Sequence, residues 1–370
     1  MLPSFATPEG TLKFTQRFPE LLEAGHFLRP EHANAAGELW LSSIGLGTYL
    51  GEADAASDEA YVEAAVEALR SGINVLDTAI NYRHQRSERN LGAALQTLTK
   101  KGELHRDEVV ICTKAGYLSF DGSVPRDPRS YFLEEYVKTG ILEPSDIAGG
   151  MHCMAPRYLE NQLERSRQNL QLETIDVFYL HNPESQLGDI GEDSFRRRIQ
   201  EAFRALEAAR GQNKIRFYGC ATWNGFRVPA ESREALDLAE LVALATEIAG
   251  ESHGFRFVQL PFNLAMPEAF AFKNQDRTRS LLQVAHDLGV VVVGSATLHQ
   301  GQLTRGLPDF VRATLGTESD VHAAIQFARS APHLTTALIG MGHREHVAQN
   351  IAAAKQPAVH EKQWLKLFAR

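Results

Sequence analysis

With 370 residues, 44% hydrophobic and 23% charged, the chain has the composition of an ordinary folded protein, long enough to bury one large core or two medium ones. Its 46 Asp and Glu outnumber its 38 Lys and Arg, and the formal charge of -8 repels nucleic acid overall while allowing a local basic pocket for an anionic cofactor. Three cysteines, Cys112, Cys153 and Cys220, are too few for a disulfide scaffold or a thiolate metal cluster and point to a reducing compartment.

The opening MLPSFATPEG has neither a basic stretch leading into an apolar run nor a small-residue cleavage signal. No segment reaches about 18 uninterrupted apolar residues, so a cytoplasmic protein without a membrane span is expected. Residues 1–38, with prolines at 3, 8, 19 and 30 and no sustained period, read as an irregular N-terminal extension across the base of the fold. A strand is expected over 39–46, followed by close turns at Gly45, Gly47 and Gly51. Ser57 is the expected cap of a helix that runs to Arg70 and stops at Gly72.

A second strand covers Ile73 to Leu76, a helix covers 87–99, and a third strand covers 109–113 with little alternation, as when both faces are covered. Residues 115–155 break this rhythm with prolines at 125, 128 and 144, the pair Gly149 and Gly150, and five aromatic residues beginning at Tyr117. So long a connection reads as a lid-like insertion over the mouth, with a short helix of its own. Helices over 156–170, 195–210, 232–249, 279–288 and 319–330 then alternate with strands over 175–180, 215–220, 255–260, 290–294 and 336–339. A helix over 343–354 and an amphipathic tail over 355–370, carrying Trp364 and Phe368, complete the chain.

Eight strand-like runs separated by helices predict an α/β fold, a (β/α)8 TIM barrel over residues 39–354. A doubly wound sheet is the alternative, but GLGTYLG is a poor version of GxGxxG and no helix follows it promptly.

The chemistry gathers at strand ends. In INVLDTAINY the apolar run stops at Asp77 and Tyr82 follows five residues later; VVICTK ends in Lys114 and IDVFYLH in His181. Closing a barrel brings such ends together, and the four side chains form a proton-handling set. A phenol with a pKa of about 10 is a weak acid at neutral pH unless something lowers it. Charged Lys114 beside Tyr82 would do so, Asp77 would keep that lysine charged, and His181 could orient a carbonyl. No metal site is expected: His152 and Cys153 lack an accompanying HxxxH or CxxC, and His343 and His346 read as solvated or phosphate-side residues. The RRR run at 196–198 reads as a solvated helix start.

DTAINY resembles the aldo-keto reductase signature, ICTK its lysine-bearing strand and FYLHNP its histidine-bearing strand; GLGTY, VQLPFN and LIG occur in the family's order. The resemblance implies an oxidoreductase that moves a hydride between a nicotinamide cofactor and an aldehyde, ketone or sugar. By the same resemblance Asp77, Tyr82, Lys114 and His181 form the catalytic set, with Tyr82 as general acid or base. Cofactor contacts are implied at Gly47, Thr48, Tyr49, Asp77, Thr222, Gln259, Ser295, Gly340, Arg344 and Asn350. Tyr49, Tyr82, Tyr117, His181 and Trp223 are implied as substrate walls.

Several positions depart from the family's pattern. Ala221 and Thr222 stand where relatives carry a Ser-Asn pair, Ala296 and Thr297 follow Ser295 in place of proline and leucine, and Arg344 is displaced by two from the usual arginine. NADP(H) is favoured over NAD(H), with the choice left open. Two rival readings stand beside this one: a Schiff-base lyase or aldolase using Lys114, and a nicotinamide-binding regulatory subunit without turnover.

Overall fold

Short runs of Val, Ile, Leu and Phe that are buried on both faces need cover on both, and only crossover helices supply it for parallel strands. The computed structural model, which describes residues 1–30 and 34–369, meets that demand with eight parallel strands. They are β1 (Ile44–Gly47), β2 (Val75–Asp77), β3 (Val110–Ala115), β4 (Ile175–His181), β5 (Ile215–Ala221), β6 (Phe255–Pro261), β7 (Val291–Ser295) and β8 (Leu334–Gly340). They pair in chain order and close where Ala337 of β8 meets Ile44 of β1. The β5–β6 seam depends on Gly219, where a Cβ would lie 1.7 Å from the Phe257 carbonyl oxygen.

The outer ring consists of α1 (Ala55–Arg70), α2 (Arg86–Lys100), α3 (Pro156–Leu170), α4 (Glu192–Gly211), α5 (Leu238–Ala249), α6 (Leu281–Asp287), α7 (Asp320–Arg329) and α8 (Arg344–Ala354). Their caps explain where the sequence reading misplaced boundaries. Asp54, not Ser57, caps α1, accepting the Ser57 amide at 2.8 Å; a carboxylate three residues earlier supplies the acceptor that the third-position serine was expected to provide. Likewise Asp237 caps α5, so residues 232–236 stay outside the helix.

Two cores result. The barrel interior holds Val75, Val110, Val177, Tyr179, Phe217 and Phe257, with Leu39 and Leu41 in the same cluster; a larger core lies between strands and helices. The strand expected over 39–46 is divided. Leu41–Ser42 pairs antiparallel with Phe27–Leu28, and the barrel strand begins only at Ile44. Asn74 Oδ1 accepts the Ser42 amide at 2.8 Å and the His26 carbonyl accepts that of Ser43 at 2.6 Å, which turns the chain between the two pairings.

The N-terminal extension is more regular than expected, with helices Pro8–Gln16 and Pro19–Glu23. Ala6 N donates to buried Asp176 at 2.7 Å, tying the extension to the start of β4. Glu31, His32 and Ala33 of that extension, and Arg370 of the tail, lie outside the described residues. The tail docks through fully buried Trp364, whose ring meets Phe270 and Phe327. The 115–155 segment carries its own short helix, Pro128–Phe132, as expected. Leu118, Tyr136, Leu142 and Cys153 of this segment form a small core with Tyr158 of α3. No helix among the described residues is long and apolar enough to cross a membrane.

Candidate active site

Residues at the C-terminal ends of the strands line a cavity of about 1000 Å³. Asp77 ends β2, and Lys114, one position from the end of β3, reaches it from beneath: Nζ lies 2.5 Å from Asp77 Oδ1 and donates to the Thr78 carbonyl at 2.8 Å. Gln259 of β6 donates to the other Asp77 oxygen at 2.8 Å, and Thr48 Oγ1 donates to the Asp77 carbonyl at 3.1 Å. Lys114 Nζ stands 4.9 Å from the centre of the Tyr82 ring. Tyr82 meets His181 edge-on at 5.8 Å and Tyr49 at 5.1 Å between ring centres. The four side chains expected to act together share one site.

Tyr82 is aimed by an unusual turn. Arg83, His84 and Gln85 all adopt positive φ, 48°, 56° and 71°, conformations costing about 1–3 kcal/mol each for a non-glycine residue. Buried anchors hold them: Arg83 donates to the Glu52 carbonyl at 2.8 Å and to Asp58 at 2.7 Å, and Gln85 donates to the Phe120 carbonyl at 3.0 Å.

Burial raises the Asp77 carboxyl above its ordinary value, opposed by Lys114 and Gln259. Burial pushes Lys114 the other way, yet Asp77 and Tyr82 outweigh it and hold the amine above its usual value. With two acceptors within hydrogen-bond reach of Nζ, the charged ammonium is the form this geometry supports. Burial also raises the Tyr82 phenol, and Lys114 opposes the rise without overcoming it. The expected net lowering of that phenol is therefore absent from the protein alone, because desolvation exceeds the pull of one ammonium. His181 is pushed well below its ordinary value by burial and by Lys114, and its Nδ1 is buried without a partner.

A relay that sequence reasoning missed fixes the end of β4. Arg198 only donates, and its bond to Gln186 Oε1 at 3.0 Å turns the Gln186 amide nitrogen toward His152 Nδ1, 2.8 Å away. His152 Nδ1 therefore accepts, and Nε2 donates to the His181 carbonyl at 2.7 Å. Gly116 makes room for this contact, since a Cβ there would lie 2.7 Å from His152 Nε2. Arg198 is thus an anchor, not the solvated helix residue expected of the RRR run; Arg196 and Arg197 are exposed.

Of the other expected residues, Gly47, Tyr49, Tyr117, Thr222, Trp223, Ser295, Gly340 and Asn350 also line the cavity. Arg344 does not: it is exposed at the start of α8, while His346, Gln349 and Asn350 of the same helix line the cavity. No Lys or Arg occurs among the described lining residues. Thr297 Oγ1, also in the lining, is buried without a hydrogen-bond partner. Gln259, Ser295, Thr297 and Asn350 line the same cavity, whose size and neutral donors and acceptors are compatible with a dinucleotide. No group of three His, Cys, Asp or Glu among the described residues is placed to hold a metal ion.

Comparisons with known proteins agree with this architecture. The chain is 31% identical over 230 residues to a D-threo-aldose 1-dehydrogenase of Pseudomonas sp, a match covering 56% of this chain and 58% of that enzyme. The chain spans about half the length of the curated relatives it matches. An aldo/keto reductase from Klebsiella pneumoniae, solved with NADP and acetate, shares the fold with a TM-score of 0.60 and 22% identity, over 90% of this chain and 92% of its own. A glycerol dehydrogenase from Gluconobacter oxydans does so with a TM-score of 0.63 and 18% identity, over 94% and 95%. The family model for the Aldo/keto reductase family matches residues 43–367, and the chain belongs to that family.

Proposed function

We propose that this chain is a nicotinamide-dependent oxidoreductase acting on a neutral polyhydroxylated carbonyl compound or the corresponding alcohol, with Tyr82 as general acid or base. The observation that carries this reading is the buried ion pair of Lys114 and Asp77 beside the Tyr82 ring, with Asp77 and Tyr82 lining the same cavity as His181 and Gln259. When bound, the nicotinamide supplies or accepts the hydride, which no side chain can do.

The protein's part is proton transfer and charge stabilisation. Negative charge that develops on a carbonyl oxygen beside Tyr82 draws the phenolic proton, and Lys114 stabilises the phenolate left behind. In the oxidative direction the phenolate takes the alcohol proton. His181, neutral and flanked by the Tyr82 and Tyr117 rings, is suited to hold the substrate oxygen rather than to carry charge. Gln259, Ser295, Thr297 and Asn350 would hold the dinucleotide.

Two finer choices follow. A ribose phosphate calls for fixed Arg or Lys donors. With Arg344 outside the described lining and His346 in its place, NAD(H) fits better than NADP(H), reversing the preference read from the sequence. The same lack of lysine and arginine, with aromatic walls at Tyr49, Tyr117 and Trp223, favours a neutral sugar-like substrate over an acid. Kinship with a D-threo-aldose 1-dehydrogenase supports that class. The lyase reading fits poorly, because a nucleophilic amine needs a lowered pKa and Lys114 is held high by Asp77.

A panel of neutral aldoses and ketoses against carboxylate-bearing carbonyls, followed by nicotinamide absorbance with each cofactor, tests the reading. Turnover of neutral sugars with NAD(H) is expected; turnover confined to charged carbonyls would overturn the substrate class.

A further inference from the structure

Strands β4 and β5 end side by side at the mouth, and one buried carboxylate joins the segments that follow them. Glu184 lies in the helical turn Pro183–Gln186, three residues after His181, and is 3% exposed. Its Oε1 accepts three consecutive backbone amides from the loop after β5: Trp223 at 2.7 Å, Asn224 at 3.0 Å and Gly225 at 3.3 Å. Successive amides converging on one point make an anion nest, and here the anion belongs to the chain itself. Burial raises the Glu184 carboxyl, and the three amides oppose that rise.

The rest of the loop is tied just as firmly. Arg227 donates to the Trp223 carbonyl at 3.1 Å and pairs with Glu268 at 3.1 Å. Asn224 Nδ2 donates to Glu234 at 2.8 Å. Gly225 packs so closely that a Cβ would lie 2.8 Å from Leu236 Cδ1. This rigid loop nevertheless presents a large apolar ring to solvent, with Trp223 44% exposed on the cavity wall. An indole held by its backbone, without burial of its face, is built to meet something that enters the cavity. The turn bearing Glu184 is itself fixed by Gln186 to His152 and the His181 carbonyl.

We propose that Glu184 is a positioning residue: its carboxylate sets Trp223 as a stacking platform for the neutral carbonyl substrate, in fixed register with His181. The substrate half of this proposal rests on the oxidoreductase reading; the tether does not.

Amide hydrogen exchange on the full chain, without substrate, tests the tether. Slow exchange is expected at Trp223, Asn224 and Gly225 in the wild type. Glu184→Gln, which keeps the size and removes the charge, should speed exchange there by about tenfold or more while the barrel strands keep their protection. In turnover assays Glu184→Gln should raise KM for a neutral sugar about tenfold, with kcat and cofactor affinity within about twofold of wild type. Placed on Trp223→Ala, it should add no further rise in KM.

Unprotected wild-type amides at 223–225 would overturn the tether without any variant being made. So would wild-type exchange at those amides in Glu184→Gln. A full KM effect persisting in the Trp223→Ala background would overturn the stacking role. A wild-type chain that turns over no carbonyl would defeat the oxidoreductase reading and with it the stacking role, leaving the exchange result to decide the tether alone.

Discussion

Lys114 Nζ and Asp77 Oδ1 stand 2.5 Å apart, and their side chains are only 1% and 4% exposed. A charge pair so far from water holds only if its remaining valences are met, as they are by the Thr78 carbonyl and Gln259. Removing one partner leaves the other uncompensated. Lys114→Met should therefore lose about 3–5 kcal/mol of stability as well as activity. The double variant Asp77→Asn with Lys114→Met should regain most of the stability and none of the turnover. Denaturant midpoints and turnover on the same preparations check this; a double variant no more stable than the single one would contradict it.

The dinucleotide's ribose end offers a gain-of-binding test. Wild type should bind NAD(H) more tightly than NADP(H), since no arginine or lysine occurs among the described residues of the lining. His346→Arg should tighten NADP(H) binding by about tenfold or more and leave NAD(H) nearly unchanged. Dissociation constants from fluorescence titration decide it, and a wild-type preference for NADP(H) would refute the assignment.

Acid should unfold the protein in part through its buried imidazoles. Burial, reinforced by Arg329, holds His26 at about 3, and burial, partly offset by the His181 carbonyl, holds His152 at about 4. Unfolded, both titrate near 6.5. Because the folded values are depressed, the unfolded state binds more protons below about pH 6.5, so this stability is intact above that pH and is lost as pH falls toward about 4. Each imidazole should contribute about 1.4 kcal/mol per pH unit to the decline. Denaturant midpoints across that range should fall, and His152→Gln should lessen the slope by about one such step; midpoints independent of pH would contradict the assignment.

The base of the barrel has its own anchor. Buried Asp176 accepts from Arg106 at 2.6 Å, from the Ile111 amide at 2.8 Å and from the Ala6 amide at 2.7 Å. Deleting residues 1–7 removes the last of these together with the Thr7 helix cap, the Leu2 bonds to Gln171 and Glu173 and the Arg216 bond to the Ala6 carbonyl, and should cost more than about 1.5–3 kcal/mol, the scale of one hydrogen bond to a charged group. Turnover per folded molecule should be unchanged, because the mouth lies at the other end of the strands. A truncated chain with the wild-type denaturant midpoint would contradict this role.

The eight strands were legible because each is a short apolar run covered on both faces and bounded by turn residues, and Asp77, Lys114 and His181 mark where those runs meet the mouth. The Pro8–Gln16 helix was missed although Thr7 as cap and Pro8 in its first turn signal it, because a period over nine residues is easily lost among prolines. His152, Glu184 and Arg198 carry no local signal. Glu184 matters only because folding carries it to amides about forty residues away, and His152 looks like half of an incomplete metal motif until Gln186 and the His181 carbonyl meet its two nitrogens. Arg344 stands exposed at the start of α8 while His346 lines the cavity, because position along the helix, not residue type, decides which side chain faces inward.

Tyr82→Phe tests the central claim most directly, since it keeps the ring that packs on Tyr49 and His181 and removes only the hydroxyl. Cofactor affinity should stay within about twofold of wild type while carbonyl reduction falls by more than about 100-fold, the scale of lost general acid catalysis. Equal rates in the two proteins would contradict the account.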